Sequence, residues 1–262
     1  DISSNIFDSS YSIFDIEKVI DIDNYKTRFG ECVEISSDGK IMAVSAPWST
    51  PSNVSGYNRG VITVYELIDG SWKQKGDIIY GSNENRDYMG KSLALSSNGL
   101  ILAIGSPDTP YNGNHKGETK VYRWNNSWTQ MGSTIEGEWN DIHLAYAGTS
   151  VSLSASGLIL AVGSPGYDVW NTGHRPNQGR VNVYEFKNNV WENMPGSPMT
   201  GQYVGHYLGK CIALSGDGMT MAAGAPYFDN NDTTDTIGRI RIYKYSNNYW
   251  HHSGDIDGLN ET

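Results

Sequence analysis

Residues 93–107 read LALSSNGLILAIGSP, and the same phrase recurs three more times. It stands at 33–47 as VEISSDGKIMAVSAP, at 151–165 as VSLSASGLILAVGSP and at 212–226 as IALSGDGMTMAAGAP. The turn glycines Gly39, Gly99, Gly157 and Gly218 lie 60, 58 and 61 residues apart. Self-similarity at such a period signals a repeat architecture. Inside the phrase, the alternation of Val33 with Ile35, or of Leu93 with Leu95, predicts a strand with one buried face. Ser-Asp-Gly and Ser-Asn-Gly are tight-turn sequences, with glycine supplying a positive φ. The following run, as in 100–104, is apolar on both faces and so belongs between packed sheets. Proline ends it by removing a ladder donor.

Two more strands follow each phrase. The third is alternating and β-branched: VITVYEL at 61–67, ETKVYRW at 118–124, RVNVYEF at 180–186 and RIRIYKY at 239–245. A hairpin signal then appears, Asp69-Gly70 in the first unit and Asn-Asn in the others. A tryptophan opens the fourth strand in each unit: Trp72, Trp128, Trp191 and Trp250. In the first unit the strands are expected at 31–36, 40–46, 60–67 and 71–80. Four antiparallel strands per unit predict the blade of a β-propeller rather than a rung of a solenoid or a sandwich. The expected fold class is therefore all-β. A single β-propeller domain spans 1–262, with repeats at 29–81, 89–137, 147–201 and 208–258. Residues 1–28 read as a partial blade or edge strand, since 11–22 resemble the end of a repeat unit. A compact ring of four or five blades is the leaning. A fragment of a larger propeller and completion by a second chain are the alternatives.

Composition narrows the function classes. The net charge of −10 disfavours a nucleic-acid partner, because affinity for a phosphate backbone comes from clustered Lys and Arg. No stretch reaches 18 consecutive apolar residues, so no membrane insertion is expected. Cys32 and Cys211 occupy equivalent positions in the first and fourth units and read as two buried free thiols. Seventeen Tyr and eight Trp exceed what a core needs, and an exposed subset suits flat, polar ligands. Asn53, Asn125, Asn231 and Asn260 each open an acceptor triplet for N-glycosylation, in turns or at the end of the sequence. A mature chain starting at Asp1 after leader cleavage would look like this, and so would an excised piece.

Certain pairs of motifs carry a family resemblance. Phe29-Gly30 is followed by a strand pair ending Ser45-Ala46-Pro47. Leu208-Gly209 leads to Gly224-Ala225-Pro226. Met89-Gly90 leads to Gly105-Ser106-Pro107, and Ala147-Gly148 to Gly163-Ser164-Pro165. Over residues 29–258 this resembles the FG-GAP repeat of integrin-α-type β-propellers. The resemblance implies a secreted or extracellular module for adhesion and ligand binding. It also implies calcium in DxDxDG turns, a pattern from which this sequence departs. Its turns 36–39, 96–99, 154–157 and 215–218 each offer at most one carboxylate, and calcium takes six to eight oxygens. No cofactor is expected; calcium stays open as an alternative. The surviving Asp38, Asn98 and Asp217 are expected to cap their own turns.

Function is expected in the connections between second and third strands, which are divergent and long: 48–59, 108–116, 166–178 and 227–237. Equivalent loops emerge on one rim. There Trp48, Tyr57, Tyr111, Tyr167, Trp170 and Tyr227 would supply flat faces. Asp108, Asp168, Asp229 and His174 would supply polar specificity. Asp229, Asn231, Asp232 and Asp235 form the one local gathering of oxygens able to hold a metal, and a solvated acidic loop is the competing reading. The repeated tryptophans and Tyr65, Tyr122, Tyr184 and Tyr243 read as packing residues. No catalytic residue is assigned. Glu31 faces the expected channel, but its equivalents are Lys91, Thr149 and Lys210, so an ion pair is the expected arrangement. His143, His206, His251 and His252 follow no metal-ligand spacing. The sequence thus points to a non-catalytic module that binds a glycan or a protein. A structural propeller that assembles through its N-terminal strand, even as a homo-oligomer, is one alternative. A glycoside-acting enzyme with carboxylates in the central depression is the other.

Overall fold

In a computed structural model, residues 27–50, 57–82, 87–108, 110–111, 114–138, 145–168, 177–229 and 236–259 are described. The repeated phrase folds as its alternation requires. β1 (Val33–Ile35) pairs antiparallel with β2 (Ile41–Ala46), and β2 with β3 (Val61–Ile68). The outer strand expected at 71–80 is broken in two, β4 (Ser71–Gln74) and β5 (Ile79–Tyr80), both paired with β3. Gly76, at φ 77°, turns the chain between them.

The second sheet repeats the order with β6 (Ser92–Leu95) and β7 (Ile101–Ser106). A short ladder, β8 (Pro110–Tyr111) with β9 (Asn114–His115), stands in the connection. β10 (Glu118–Trp124), β11 (Trp128–Gln130) and β12 (Ile135–Glu136) complete it. The third sheet has β13 (Ser150–Leu153), β14 (Ile159–Ser164), β15 (Arg180–Lys187), β16 (Val190–Asn193) and β17 (Met199–Thr200). The fourth has β18 (Cys211–Leu214), β19 (Thr220–Ala225), β20 (Arg239–Ser246) and an unbroken outer strand, β21 (Tyr249–Asp257). The described residues contain no helix. Four antiparallel meanders of this kind are the blades of a β-propeller.

Local chemistry explains the turns. Asp69-Gly70, Asn188-Asn189 and Asn247-Asn248 all lie at φ between 49° and 79°, the double positive φ of a type I′ hairpin. At the inner turn, Ser36 Oγ donates to Asp38 Oδ1 at 2.6 Å, and the Lys40 N–H donates to the same oxygen at 3.0 Å. These bonds hold the Asp38 carboxyl below its usual range. Asn98 repeats the arrangement with Ser96 and Leu100, and Asp217 with Ser215 and Met219.

The core consists of the layers between successive sheets. Ile101 and Ala103 of β7 pack toward sheet three, while Leu102 and Ile104 of the same strand pack toward sheet one. That is why the second strand of each unit is apolar on both faces. Polar contacts repeat at each junction. The Ser37 N–H donates to the Ser97 carbonyl, Ser97 to Ala155, and Ala155 to Gly216, at 2.8–3.0 Å. Trp128 Nε1 donates to the Lys75 carbonyl at 2.9 Å and Trp191 Nε1 to that of Met131 at 2.8 Å. These two repeated tryptophans therefore join neighbouring blades. The cysteines differ from the expected buried pair: Cys32 is half-buried and Cys211 is exposed, both as free thiols. Cys32 Sγ donates to the Lys91 carbonyl of the next sheet at 3.1 Å.

Successive sheets approach each other closely through their backbones. A Cβ added to Gly163 would lie 2.1 Å from the Gly209 carbonyl oxygen in sheet four. Gly163→Ala should therefore destabilise the chain by about 1–3 kcal/mol, the usual cost of overpacking, measured as a lower urea midpoint at unchanged m.

Candidate binding site

Each unit opens with a turn that the sequence marks only by its glycine. The Glu31 N–H donates to the Arg28 carbonyl at 3.0 Å, Lys91 to Tyr88 at 3.2 Å, Thr149 to Tyr146 at 3.2 Å and Lys210 to Tyr207 at 3.1 Å. Gly30, Gly90, Gly148 and Gly209 sit third in these turns at φ 85–93°, the type II requirement. The first residue of each turn is also left-handed: Arg28 at 51°, Tyr88 at 48°, Tyr146 at 52° and Tyr207 at 55°. Positive φ is unfavourable for so bulky a residue. At Tyr88, Tyr146 and Tyr207 it persists because the residue that follows each docks on a glycine of the preceding blade.

These turns converge on the centre of the blade array. They border a cleft of about 470 Å³. Glu31, Lys91, Thr149 and Lys210 line it from equivalent positions, with Tyr146 and Tyr207 beside them. Pro107, Asp108, Pro165 and Gly166 close its side. The ion pair expected of Glu31 is present, to Lys91 at 3.0 Å, with Arg28 at 3.7 Å on the other oxygen. The Lys210 ammonium has no partner among the described residues. Burial raises the Tyr146 hydroxyl above its ordinary range, and the negative charge of Asp108 adds to the shift. Tyr146 therefore stays protonated and able to donate at neutral pH.

Aromatic rings flank the cleft. Trp48 meets Tyr88 edge-on at 4.8 Å, with the Arg28 guanidinium 4.4 Å and Lys91 Nζ 5.4 Å from its ring centre. Tyr207 meets the exposed Tyr227 at 5.2 Å.

Of the rim residues expected from the sequence, Asp108 lines the cleft, and Trp48 and Tyr227 stand at its borders through these contacts. Among the described rim residues, Tyr57, Tyr167, Asp168 and Asp229 do not line it. Tyr167 lies under the Arg180 guanidinium at 3.5 Å. Asp168 is buried and accepts the Asn177 backbone N–H, so it braces its own loop instead of facing a ligand. Tyr57 is exposed on the first connection, and Tyr111 belongs to the β8–β9 ladder. Trp170 and His174 lie outside the described residues, as do Asn231, Asp232 and Asp235 of the possible metal loop and the acceptors Asn53 and Asn260. The remaining metal candidate, Asp229, faces His206 Nε2 at 3.4 Å. Asn125 sits in the exposed hairpin turn between β10 and β11.

Sequence reading missed Arg28, Tyr88, Tyr146 and Tyr207. Their signal was available: Tyr88-Met89-Gly90, Tyr146-Ala147-Gly148 and Tyr207-Leu208-Gly209 share one pattern.

Comparisons with known proteins bear on the fold. No family model matches the chain, and neither does any curated protein. Among solved structures, a candidate 6-phosphogluconolactonase from Bacteroides uniformis is similar at 13% identity and a TM-score of 0.54. The match covers 87% of this chain and 54% of that one. The WD40 repeats of RRP9 are similar at 11% identity and a TM-score of 0.49, covering 88% and 52%. At such identities the likeness shows a β-propeller fold and nothing finer. The chain spans about half the length of the solved structures it matches.

His206, packed edge-on to Phe228 at 4.8 Å, gives a pH test of this region. Burial lowers its pKa from 6.5, outweighing the Asp229 contact. The unfolded chain therefore takes up the proton first, and stability should fall as pH drops through 6.5. His206→Gln should flatten that part of the profile in urea titrations between pH 7.5 and 5.5.

Proposed function

We propose that this chain is a non-catalytic binding module that holds a glycan across the cleft at the blade centre. The observation that carries the reading is the set of rings around the cleft, Trp48 with Tyr88 and Tyr146 near Tyr207 with Tyr227. A preformed cleft of a few hundred Å³ with convergent polar groups is a usual form of a ligand site. Tyrosine and tryptophan offer a flat apolar face to a sugar ring and a polar edge to its hydroxyls. Lys210, Thr149 and Asp108 supply convergent polar atoms. The extracellular, adhesive setting belongs to the same proposal and rests on the FG-GAP resemblance, with the exposed Asn125 triplet as a support. Asp38 and Asp217 are already engaged by their own turns, which supports a frame held by hydrogen bonds in place of calcium.

One observation favours a second reading, a glycoside-acting enzyme: Glu31 and Asp108 share the cleft. The ion pairs of Glu31 to Lys91 and Arg28 weigh against it as a proton donor.

A glycan array with the purified chain tests both. Tyr227→Ala and Lys210→Ala should each weaken retention of the captured glycan about tenfold or more, near 1.4 kcal/mol. Both residues are exposed, so stability should stay within about 0.5 kcal/mol. Unchanged capture in both variants would sink the binding reading. Cleavage of the captured glycan that Asp108→Asn abolishes would establish the enzyme instead.

A further inference from the structure

The face of the fourth sheet that looks away from sheet three is built like three faces that are covered. Register fixes the equivalence: Val181 pairs with Gly163 and Met199, and Ile240 pairs with Gly224 and Ile256. Val181 is 0% exposed and Met199 7%, beneath sheet four. Ile240 is 44% exposed and Ile256 57%.

The backbone repeats the pattern. A Cβ on Gly105 or Gly163 would lie 2.1 Å from a turn carbonyl of the next sheet. On Gly224 the nearest atom is 3.6 Å away, within its own sheet. Gly224 does not have a positive φ, so no local conformation demands glycine there. Gly60, Gly117 and Gly179 each stand 2.2 Å, by the same measure, from a carbonyl of the following sheet, whereas Gly238 meets only Pro226 at 3.3 Å. Ser92 and Ser150 donate to the next sheet's turn at 2.7 Å, and Cys211 at the equivalent place is exposed. At the opposite end of the array Val33 is 52% exposed, against 7% for Val151.

We propose that this face of sheet four is a blade–blade interface, and that its occupant is a further blade of the same repeat type, following in the same polypeptide. The occupant must bring an apolar inner strand over Ile240 and a glycine turn whose carbonyl approaches Gly224. The interface continues the three already formed, with the same register and the same small residues. The Bacteroides neighbour favours this occupant over a second copy of the chain: the four sheets match only 54% of its length, so that fold carries nearly as much again. A second copy would meet the face with its Val33 end in a heterologous contact.

The full chain, extended directly after Gly258 by a second copy of 202–259 that carries Ile240→Lys and Ile256→Lys on its own outward face, tests the proposal. Residues 202–259 follow Gly201 in the same way. Before extension the chain should be monomeric by sedimentation and bind a hydrophobic dye, and Ile240→Lys with Ile256→Lys should abolish most of that binding. Extension should suppress the dye signal and raise Tm by several degrees. Gly224→Ala should be harmless in the original chain yet cancel that gain in the extended one. A folded extension that changes neither Tm nor dye binding overturns the proposal. So does a discrete dimer of the original chain that Ile240→Lys dissociates, which would identify a second copy as the occupant. Should the added unit fail to fold, dye binding equal in the original chain and the double lysine variant overturns it as well.

Discussion

The structure depends on how closely one blade's backbone approaches the next. The carbonyls of Gly148 and Gly209 lie where the Cβ of Gly105 and Gly163 would be. No side chain can be inserted there without parting the sheets. That approach brings β13 and β18 within packing distance of the preceding second strands, β7 and β14, and closes the apolar layers. Burying each large aliphatic side chain in those layers contributes about 1.5–3 kcal/mol. The serine, cysteine and tryptophan donors then satisfy polar groups that the approach would otherwise strand. The Gly-Ser-Pro and Gly-Ala-Pro endings are thus requirements of the joint between blades.

The same joint accounts for the strain at the candidate site. Tyr88, Tyr146 and Tyr207 sit in the left-handed region directly before the residues that dock on Gly60, Gly117 and Gly179. Docking fixes the chain on the far side, and the type II turn fixes it on the near side. The tyrosine between them has little freedom left, and its ring is held at the mouth of the cleft. A ligand meeting such rings would pay little ordering entropy, which is the general advantage of preorganisation.

Much of the fold was legible in one phrase, and the candidate site was only partly so. Alternation in 93–96, apolarity on both faces in 101–104 and Asn-Asn hairpins are local patterns, and local patterns survive without coordinates. The outer strand was less legible, because Gly76 breaks it through contact with Trp124 and Trp128 of the next blade. Glu31, Lys91, Thr149 and Lys210, equivalent by sequence, line one cleft, since equivalent positions in a repeat converge. The rim was drawn too widely. Asp168 and Tyr167 are polar and aromatic like Asp108 and Tyr227, yet they serve their own loop, and nothing in residue type distinguishes the two roles.

Repetition at a near-constant period, with hydrophobic alternation inside it, was enough to specify four antiparallel blades. It was enough because strand patterning and turn chemistry act over a few residues at a time. Which tyrosines face a common cleft, and which face of the last sheet the other described residues leave uncovered, depend on contacts between residues about sixty positions apart. Such contacts exist only once the blades stack, because each blade's flank is defined by the neighbour that covers it.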